Sequence, residues 1–138
     1  MVTVIPPMPS RDDDYFWQAA RESRLVARRC VNCGALQHPP APMCPHCQSL
    51  EFAVEELSGQ GTIHSWIVSR HPSTPDTDAR IVALIDLKEG IRMVSNIAAE
   101  PGTGVRTGTP VRVTFETFET FGGDSITLPQ FVIDEKAS

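Results

Sequence analysis

The sequence is poor in basic side chains. Lys and Arg together number 12 against 17 Asp and Glu, which gives a formal net charge of −5. Proteins that bind nucleic acid without sequence preference displace counterions with many Lys and Arg side chains. The charge balance therefore argues against that class of protein.

The sequence also lacks a long apolar run. No stretch approaches the roughly 18 consecutive apolar residues that a membrane-spanning helix requires. The first ten residues have no basic start and contain three prolines, unlike a secretory signal peptide. We therefore expect a cytoplasmic protein that does not associate with membranes.

The short motifs of common enzyme chemistries are missing as well. There is no glycine-rich phosphate loop ahead of a helix, no Gly-x-Ser-x-Gly nucleophile elbow and no His-Glu-x-x-His zinc motif. His64 lies in a strand pattern beside Trp66, where a hydrogen-bonded structural histidine is a simpler interpretation than a catalytic base. We predict no catalytic residue, and we expect the chain to be inactive by itself.

Arg70 and His71 end one predicted strand and open the longest predicted loop. An arginine at the end of a barrel strand can contact an anion through directional, charge-assisted hydrogen bonds. We name Arg70 and His71 as candidate anion contacts, with an ordinary surface loop as the alternative.

All four cysteines are confined to one stretch, CVNCGALQHPPAPMCPHC, from Cys30 to Cys47. Two Cys-x-x-Cys pairs so close together could form a redox centre, two disulfides or a metal site. Structural disulfides are rare in a reducing cytosol, and a thioredoxin-like dithiol needs only one such pair. Two Cys-x-x-Cys turns instead supply the four thiolates of a closed tetrahedral metal site.

The predicted metal site has a complete set of sulfur ligands: Cys30, Cys33, Cys44 and Cys47. Zinc is the expected metal, with rubredoxin-type iron as the alternative, because the ligand set does not discriminate between them. Such a site has no open position, so we expect it to hold structure and not to catalyse. His38 and His46 are interpreted as surface imidazoles, since four sulfurs already complete the coordination shell.

Residues 11–22 have the pattern of a short amphipathic helix. A capping-box spacing begins at Ser10, and acidic residues occupy the first turn, where the helix dipole favours them. Phe16, Ala19 and Ala20 recur at helical spacing. This pattern predicts one apolar face that packs against the rest of the protein.

Three consecutive aromatic residues, Tyr15, Phe16 and Trp17, lie within this predicted helix. Consecutive helical positions point in different directions, so the three rings cannot all face one core. The chain has only six Phe, two Trp and one Tyr, and we expect at least one of these three rings on a partner surface. The alternative is that the cysteine-rich segment covers all of them.

Beyond Cys47 the pattern changes to the period of two that is typical of strands. Turn residues separate the candidates, and Lys88–Gly90 is predicted to form a hairpin. The strand at 80–87 is apolar at almost every position, so we expect it to be buried on both faces. The strand candidates are 51–57, 61–69, 80–87, 91–97, 110–117 and 128–133.

Five or six short strands with no helix between them predict a small antiparallel barrel or sandwich. The predicted fold is therefore mainly β, with a short N-terminal helix, a zinc ribbon and a small barrel. We place the N-terminal arm and helix at 1–23, the ribbon at 24–50 and the β-domain at 51–138.

The order of these motifs resembles a known family. FWQAAR is followed by RLVARRCVNCGALQHPPAPMCPHCQSLEF, SGQGTIHSWIVSRHP, IVALIDLKEGIRMVSNI and RTGTPVRVTFE. This order is similar to that of the family with a rubredoxin-like zinc ribbon and an oligonucleotide/oligosaccharide-binding (OB) fold, catalogued as domain-of-unknown-function family thirty-five. The resemblance extends from about residue 12 to 133, and the four cysteines match the family's metal ligands.

The resemblance implies a non-catalytic subunit that assembles with a thiolase-fold enzyme acting on an acyl-CoA thioester. Such partners include thiolases, acyltransferases and the retro-aldolases of steroid side-chain degradation, and some relatives pair with hydratases. The OB domain and ribbon would help to form the acyl-CoA site, with Arg70 and His71 as candidate CoA contacts. Tyr15, Phe16 and Trp17 are the candidate partner contacts, in a hetero-oligomer expected to hold two copies of each subunit.

An OB fold also supports a different hypothesis, a module that binds single-stranded nucleic acid. Such modules combine a basic groove with aromatic stacking platforms, and this acidic chain has few of either. We therefore prefer the acyl-CoA hypothesis. The salt dependence of any oligonucleotide binding separates the two.

Overall fold

The structure is a computed structural model that describes residues 3–4, 13–38, 40–69, 79–99, 104–120, 123 and 125–134. Over these ranges the predicted fold class is confirmed, because one short helix precedes a ribbon and a small barrel of strands. The elements are β1 (Thr3–Val4), α1 (Asp14–Arg21), β2 (Val26–Cys30), β3 (Leu36–Gln37), β4 (Phe52–Glu56), β5 (Gln60–Ser69), β6 (Arg80–Leu87), β7 (Arg92–Ile97), β8 (Pro110–Thr120) and β9 (Ser125–Ile133).

Helix α1 begins later than the sequence pattern predicts. Asp13 precedes its first turn, and the Asp13 side chain makes no capping hydrogen bond. Ser10, where the predicted capping box begins, lies outside the described residues. The apolar face is as predicted, because Phe16, Ala19 and Ala20 are buried.

The C-terminal end of α1 is a Schellman motif. The Ser23 N–H donates to the Ala20 carbonyl at 3.0 Å, and the Arg24 N–H donates to the Ala19 carbonyl at 2.9 Å. Ser23 has a φ of 59°, the left-handed conformation that glycine most often supplies at this place. The helix therefore ends with a serine held in a conformation that costs free energy.

Strand β2 is the centre of a three-stranded sheet with the order β3–β2–β4. It pairs antiparallel with β4 along its whole length, from Val26 opposite Glu56 to Cys30 opposite Phe52. Val26 is fully buried. Cys30, the first cysteine of the cluster, therefore lies at the end of a strand that is paired along its whole length.

Five strands close into a barrel in the order β8–β5–β6–β7–β9, and β9 returns to β8. The predicted barrel was antiparallel, but β7 and β9 pair in parallel, with Ile97 opposite Phe131. A ring with an odd number of strands cannot alternate in direction throughout, so closure requires at least one parallel pair. Strand β1 adds to β8 in parallel, with Thr3 opposite Glu119.

The Ser-Gly-x-Gly-Thr segment that enters the barrel needs both of its glycines. Gly59 has a φ of 79°, and a Cβ atom there would lie 2.3 Å from the Val113 side chain. A Cβ atom on Gly61 would lie 2.6 Å from the Asp86 carbonyl oxygen. A side chain at Gly61 would clash with backbone and force β5 and β6 apart, whereas one at Gly59 would strain the backbone and displace the Val113 side chain.

The chain divides into two compact units, which we call the ribbon unit (1–58 with 115–129) and the barrel unit (59–114 with 130–138). The boundaries proposed from the sequence stay a prediction. Buried apolar side chains of the ribbon unit include Phe16, Ala19, Ala20, Leu25, Val26, Ala27 and Leu57, and those of the barrel unit include Ile63, Ile81, Ile85, Met93, Ile97, Val111 and Phe131.

Strand β6 is buried on one face only. Ile81, Ala83, Ile85 and Leu87 are buried, whereas the residues between them are half-buried. The expectation of burial on both faces is therefore wrong, because one face of a barrel strand points outward. Among the described residues, no helix is both long enough and apolar enough to span a membrane.

Candidate metal centre

The four cysteine sulfurs lie close together in the ribbon unit. The Sγ atoms of Cys30 and Cys47 are 3.5 Å apart, and those of Cys33 and Cys44 are 3.6 Å apart. All four Sγ atoms lie within 4.8 Å of one another, and all four cysteines are free. The sulfurs are therefore positioned to share one metal ion.

The two Cys-x-x-Cys turns, which we call knuckle one (30–35) and knuckle two (44–49), repeat one backbone pattern. In knuckle one the Cys30 N–H donates to the Ala35 carbonyl, and the Gly34 N–H donates to the Cys30 carbonyl. Knuckle two has the same two hydrogen bonds, from Cys44 to Ser49 and from Gln48 to Cys44, and all four bonds are 2.9 Å long.

The fifth residue of each knuckle lies in the left-handed region. Gly34 has a φ of 78° and Gln48 has a φ of 66°. Glycine adopts this conformation freely, but a residue with a Cβ atom does so at a cost of about 1–2 kcal/mol. A glycine directly after the second cysteine of a Cys-x-x-Cys pair is a sequence signal for this conformation at Gly34, whereas the sequence gives no such signal at Gln48, because glutamine has no preference for positive φ.

Hydrogen bonds from backbone N–H groups and from neighbouring thiols give the cysteines different pKa values. The Cys33 N–H, 3.5 Å from Cys30 Sγ, is the main cause that lowers the pKa of the Cys30 thiol to about 6. The N–H groups of Cys47 and His46 lower the pKa of the Cys44 thiol. At Cys33 the Ala35 N–H favours the thiolate, but partial desolvation and the hydrogen bonds that the Cys33 thiol shares with the neighbouring cysteines outweigh it and raise the pKa to about 12. Four thiolates at this spacing therefore need a cation among them.

A tetrahedral metal ion fits this donor set. With metal–sulfur bonds of about 2.3 Å, the sulfurs of a zinc site lie about 3.8 Å apart. The separations of 3.5 Å and 3.6 Å are close to that value. The knuckles would thus need only small shifts to hold zinc, and iron in the same geometry would fit as well.

Two adjacent arginines of β2 hold the segments around the cysteines. The guanidinium carbon of Arg28 lies 3.9 Å from the ring centroid of Phe52 and 5.7 Å from that of Tyr15. Arg28 also donates to the Ala41 carbonyl, in the spacer between the knuckles, at 3.1 Å. Arg29 forms a bidentate ion pair with Glu55 and donates to the Gly34 carbonyl.

Sequence reasoning missed both arginines as supports of the metal centre. Their contacts depend on the register between β2 and β4, which places Arg28 opposite Val54 and Arg29 opposite Ala53. Only the alternation of a strand hinted that neighbouring arginines would point to opposite faces.

The three consecutive aromatic residues of α1 have different environments. Phe16 is 7% exposed, and its ring meets Trp17 edge-on at 5.0 Å. Tyr15 and Trp17 are half-buried, and neither Tyr15 Oη nor Trp17 Nε1 has a hydrogen-bond partner among the described residues. Burial raises the pKa of Tyr15 to about 12. Their assignment to a partner surface stays a prediction.

The histidines near the cysteines do not join the cluster. Among the described residues the candidate metal-binding group contains cysteines alone. His46 is exposed, as expected. His38 is not a surface imidazole, because its ring packs 5.3 Å from that of Phe16 and burial lowers its pKa.

In the barrel unit, His64 has the structural contact that the sequence suggested. Its Nδ1 atom lies 3.3 Å from an Asp86 carboxylate oxygen. The second carboxylate oxygen accepts a hydrogen bond of 2.6 Å from Arg92. Arg70 and His71, the candidate anion contacts, lie outside the described residues.

Comparison with known proteins identifies both parts of the chain. Residues 17–53 match the family described as the rubredoxin-like zinc ribbon domain of ChsH2, and residues 54–116 match the C-terminal OB-fold domain of ChsH2. A solved structure described as the Ltp2–ChsH2(DUF35) aldolase contains a chain that is 36% identical. That match has a TM-score of 0.81 and covers 93% of this chain and 98% of that one.

The chain is also similar to subunits of enzymes whose names include a CoA thioester. It is 40% identical over 106 residues, 76% of this chain, to a probable enoyl-CoA hydratase alpha subunit of Thermomonospora curvata. It is 32% identical over 87 residues to the benzoylsuccinyl-CoA thiolase subunit BbsA of Thauera aromatica, covering 60% of this chain and 58% of that subunit.

The chain spans about one third of the length of the hydratase alpha subunits that it matches. It covers 33% of the Thermomonospora curvata protein. It covers 36% of the 3-oxo-4,17-pregnadiene-20-carboxyl-CoA hydratase alpha subunit of Mycobacterium tuberculosis, to which it is 34% identical over 81% of its own length.

Proposed function

The chain belongs to the DUF35 family with a ChsH2-type zinc ribbon and OB-fold domain, and on this premise we propose that it is an accessory subunit of an enzyme that acts on acyl-CoA thioesters. The observation that carries the proposal is the similarity along 93% of the chain to a subunit of the Ltp2–ChsH2(DUF35) aldolase. The proposed partner is a thiolase-fold enzyme that supplies the catalytic groups. A hydratase is the second class of partner, because two relatives are hydratase alpha subunits.

The metal centre has a structural role in this proposal. Cys30, Cys33, Cys44 and Cys47 would hold one zinc ion, with iron as the alternative. When bound, the ion neutralises thiolate charge and joins the two knuckles. Four sulfur ligands leave no open position for a substrate or water, so the ion would stabilise the ribbon and would not activate a reactant.

The surface of α1 is the proposed contact with the partner. Tyr15 and Trp17 are half-buried and amphipathic, and such aromatic side chains are enriched at interface hot spots. The phenol oxygen and the indole nitrogen are buried without a hydrogen-bond partner among the described residues, so a partner chain would contact the exposed parts of the two rings and not these two atoms. Phe16 is mostly committed to the core of the ribbon unit and would contribute by holding the helix in place.

Binding of the acyl-CoA is proposed at the barrel, with Arg70 and His71 as contacts for the phosphates of CoA. The support is the chemistry of arginine, which offers directional donors to phosphate, together with the CoA thioesters in the names of three relatives. Arg70→Ala is expected to raise the apparent KM for the thioester and to leave assembly unchanged. Arg112→Ala serves as the control, since Arg112 is an exposed arginine of β8 that lies opposite Gln60, at the other end of β5 from Ser69.

The test of the proposal is purification of the tagged chain from its own cells, followed by identification and assay of whatever remains bound. We expect a thiolase-fold enzyme at a fixed ratio and turnover of an acyl-CoA only when both chains are present. Turnover by the isolated chain, or tight salt-dependent binding of an oligonucleotide without an enzyme partner, would contradict it.

The interface can be tested on the same complex with two tryptophan variants. Trp17→Ala is expected to weaken assembly by about 2 kcal/mol, the scale of a hot-spot residue, which is about 30-fold in Kd. Trp66→Ala is the matched control, because Trp66 is a partly exposed tryptophan of the barrel unit. Weakening by Trp66→Ala but not by Trp17→Ala would move the interface to the barrel.

A further inference from the structure

We propose that Arg29 is a positioning residue of the metal centre, which ties knuckle one to strand β4 and thereby slows release of the metal. The inference rests on the proposed metal ligation by the four cysteines. It concerns a side chain that is no ligand and that the sequence pattern did not single out.

The guanidinium of Arg29 makes three hydrogen bonds in two directions. Its Nε and Nη2 atoms donate to the two carboxylate oxygens of Glu55, at 2.9 Å and 2.6 Å. Its Nη1 atom donates to the carbonyl of Gly34. A planar fork with fixed donors can hold a carboxylate and a carbonyl at the same time, which a lysine ammonium cannot do with the same geometry.

Arg29 donates to the carbonyl of Gly34, the residue of knuckle one that has positive φ. Gly34 follows Cys33 directly, and its own N–H closes the turn on the Cys30 carbonyl. Cys33 is the one exposed cysteine of the four. Release of the metal from this side requires residues 31–34 to swing outward with Cys33, and that motion breaks the bond between Arg29 and Gly34.

Strand β4 is a firm anchor for this contact. Glu55 lies on β4, which pairs with β2 over five consecutive residue pairs. The Val31 N–H, within the same knuckle, donates to the Glu51 carbonyl at 3.1 Å just before β4 begins. Knuckle one is thus attached to β4 at two points, one through the backbone and one through Arg29.

Among the residues that the structure describes, no side chain holds knuckle two in the equivalent way. The residue that corresponds to Arg29, immediately before the first cysteine of the turn, is Met43. Met43 is 47% exposed, and a thioether cannot donate a hydrogen bond to a carbonyl. The clamp is therefore specific to the knuckle that carries the exposed ligand.

The solvent exposure of the Arg29–Glu55 ion pair distinguishes a role in retaining the metal from a general contribution to the stability of the protein. The side chains of Arg29 and Glu55 are 41% and 39% exposed, and ion pairs with that exposure contribute little to global stability. Groups that orient metal ligands, however, typically change metal affinity by about 10- to 100-fold when removed. We therefore expect a large effect on metal release and a small effect on thermal unfolding.

The test measures the rate at which excess chelator removes the metal from the purified holoprotein. Arg29→Ala is expected to release the metal about 10-fold faster than the wild type, and Arg29→Lys to release it faster as well. Arg24→Ala is the matched control. Arg24 also pairs with an acidic residue, Glu22 at 3.2 Å, but among the described residues its side chain makes no hydrogen bond or ion pair with either knuckle. It should release metal at the wild-type rate.

Alkylation of the cysteines during release gives a second readout. Mass spectrometry of samples quenched at early times should show Cys33 modified ahead of Cys47 in Arg29→Ala, by more than in the wild type or in Arg24→Ala. If Arg29→Ala does not fold, Arg29→Lys and Glu55→Gln carry the same test, because each breaks one arm of the clamp.

Two results would overturn the inference. Equal release rates for the wild type and Arg29→Ala would show that the clamp does not position the ligand. A wild-type rate in Arg29→Lys beside a fast rate in Arg29→Ala would show that charge alone acts. Wild-type protein that contains neither zinc nor iron would instead refute the proposed metal ligation itself.

Discussion

Replacing Gln48 by glycine is expected to stabilise the protein. Gln48 has a φ of 66°, in the same left-handed region as Gly34 at the equivalent place of knuckle one. Its side chain is exposed and makes no hydrogen bond with another described residue. Its N–H donates to the Cys44 carbonyl at 2.9 Å, and the substitution leaves that bond intact.

The size of the expected stabilisation follows from two opposing contributions to the free energy of unfolding. Left-handed backbone costs a residue with a Cβ atom about 1–2 kcal/mol, and the substitution removes this cost. Glycine gains freedom in the unfolded chain, which costs about 0.5–1 kcal/mol. The difference is a stabilisation of about 0.5–1 kcal/mol, or a rise in Tm of about 2–3 °C for a chain of this size.

Knuckle one provides the reciprocal variant. Gly34→Gln places a glutamine where the first knuckle needs positive φ, and it is expected to lower the Tm by about the same amount. Open space surrounds a Cβ atom at Gly34, so the loss would come from the backbone and not from a clash.

The assay is thermal unfolding of the metal-loaded wild type and both variants, followed by circular dichroism at fixed protein and metal concentrations. A Tm for Gln48→Gly at or below that of the wild type, beside a lowered Tm for Gly34→Gln, would refute the equivalence of the two knuckles. It would mean that the Gln48 side chain makes a contact that outweighs its backbone cost.

Three further predictions concern the ribbon unit. The single tyrosine of the chain should titrate near pH 12, because burial raises the pKa of Tyr15 to about 12. The contribution of the neutral phenol to stability should be complete below pH 10 and be lost as the pH rises toward 12. An absorbance titration at 295 nm with a midpoint near 10 would contradict this. Cys44→Ser should lose the metal and unfold the ribbon, since metal binding supplies much of the folding free energy of so small a unit, and elemental analysis showing a full equivalent of metal would contradict it. Ser23→Gly should raise the Tm by about 2–3 °C through the end of helix α1, and an unchanged or lowered Tm would contradict the Schellman assignment.

The strands were predictable because burial leaves a period of two in the sequence. The candidates at 80–87 and 91–97 agree closely with β6 and β7, and the tight turn between them has Gly90 at a φ of 96°. The two-residue strands β1 and β3 were not predictable. Two residues leave no periodic signal, and such strands exist only because a neighbour pairs with them.

The cysteine cluster was predictable from spacing, whereas its supports were not. The Cys-x-x-Cys pairs limit where the sulfurs can lie, but the bond from Arg29 to Gly34 depends on the fold of the whole ribbon. Likewise, three consecutive aromatic residues in a helix indicate that their rings lie in different environments. The helical spacing of Phe16 with Ala19 and Ala20 predicted that Phe16 would be the buried ring, but it did not indicate that His38 would be its neighbour.

The order of the strands in the barrel is a third feature that the sequence pattern could not predict. Local patterns report which strands exist, and they carry no direct information on which strand lies beside which. The parallel pair of β7 and β9 joins Ile97 to Phe131, residues far apart in the chain. Closing an odd number of strands requires at least one parallel pair, but it does not determine which pair that is.

Native mass spectrometry of the complex purified through the tagged chain tests the central claim most directly. One spectrum reports the partner, the ratio of the two chains and the metal bound to each copy. We predict equal numbers of this chain and of a thiolase-fold enzyme, two of each, with one zinc ion on every copy of this chain. A lone, metal-free chain without an enzyme partner would contradict it.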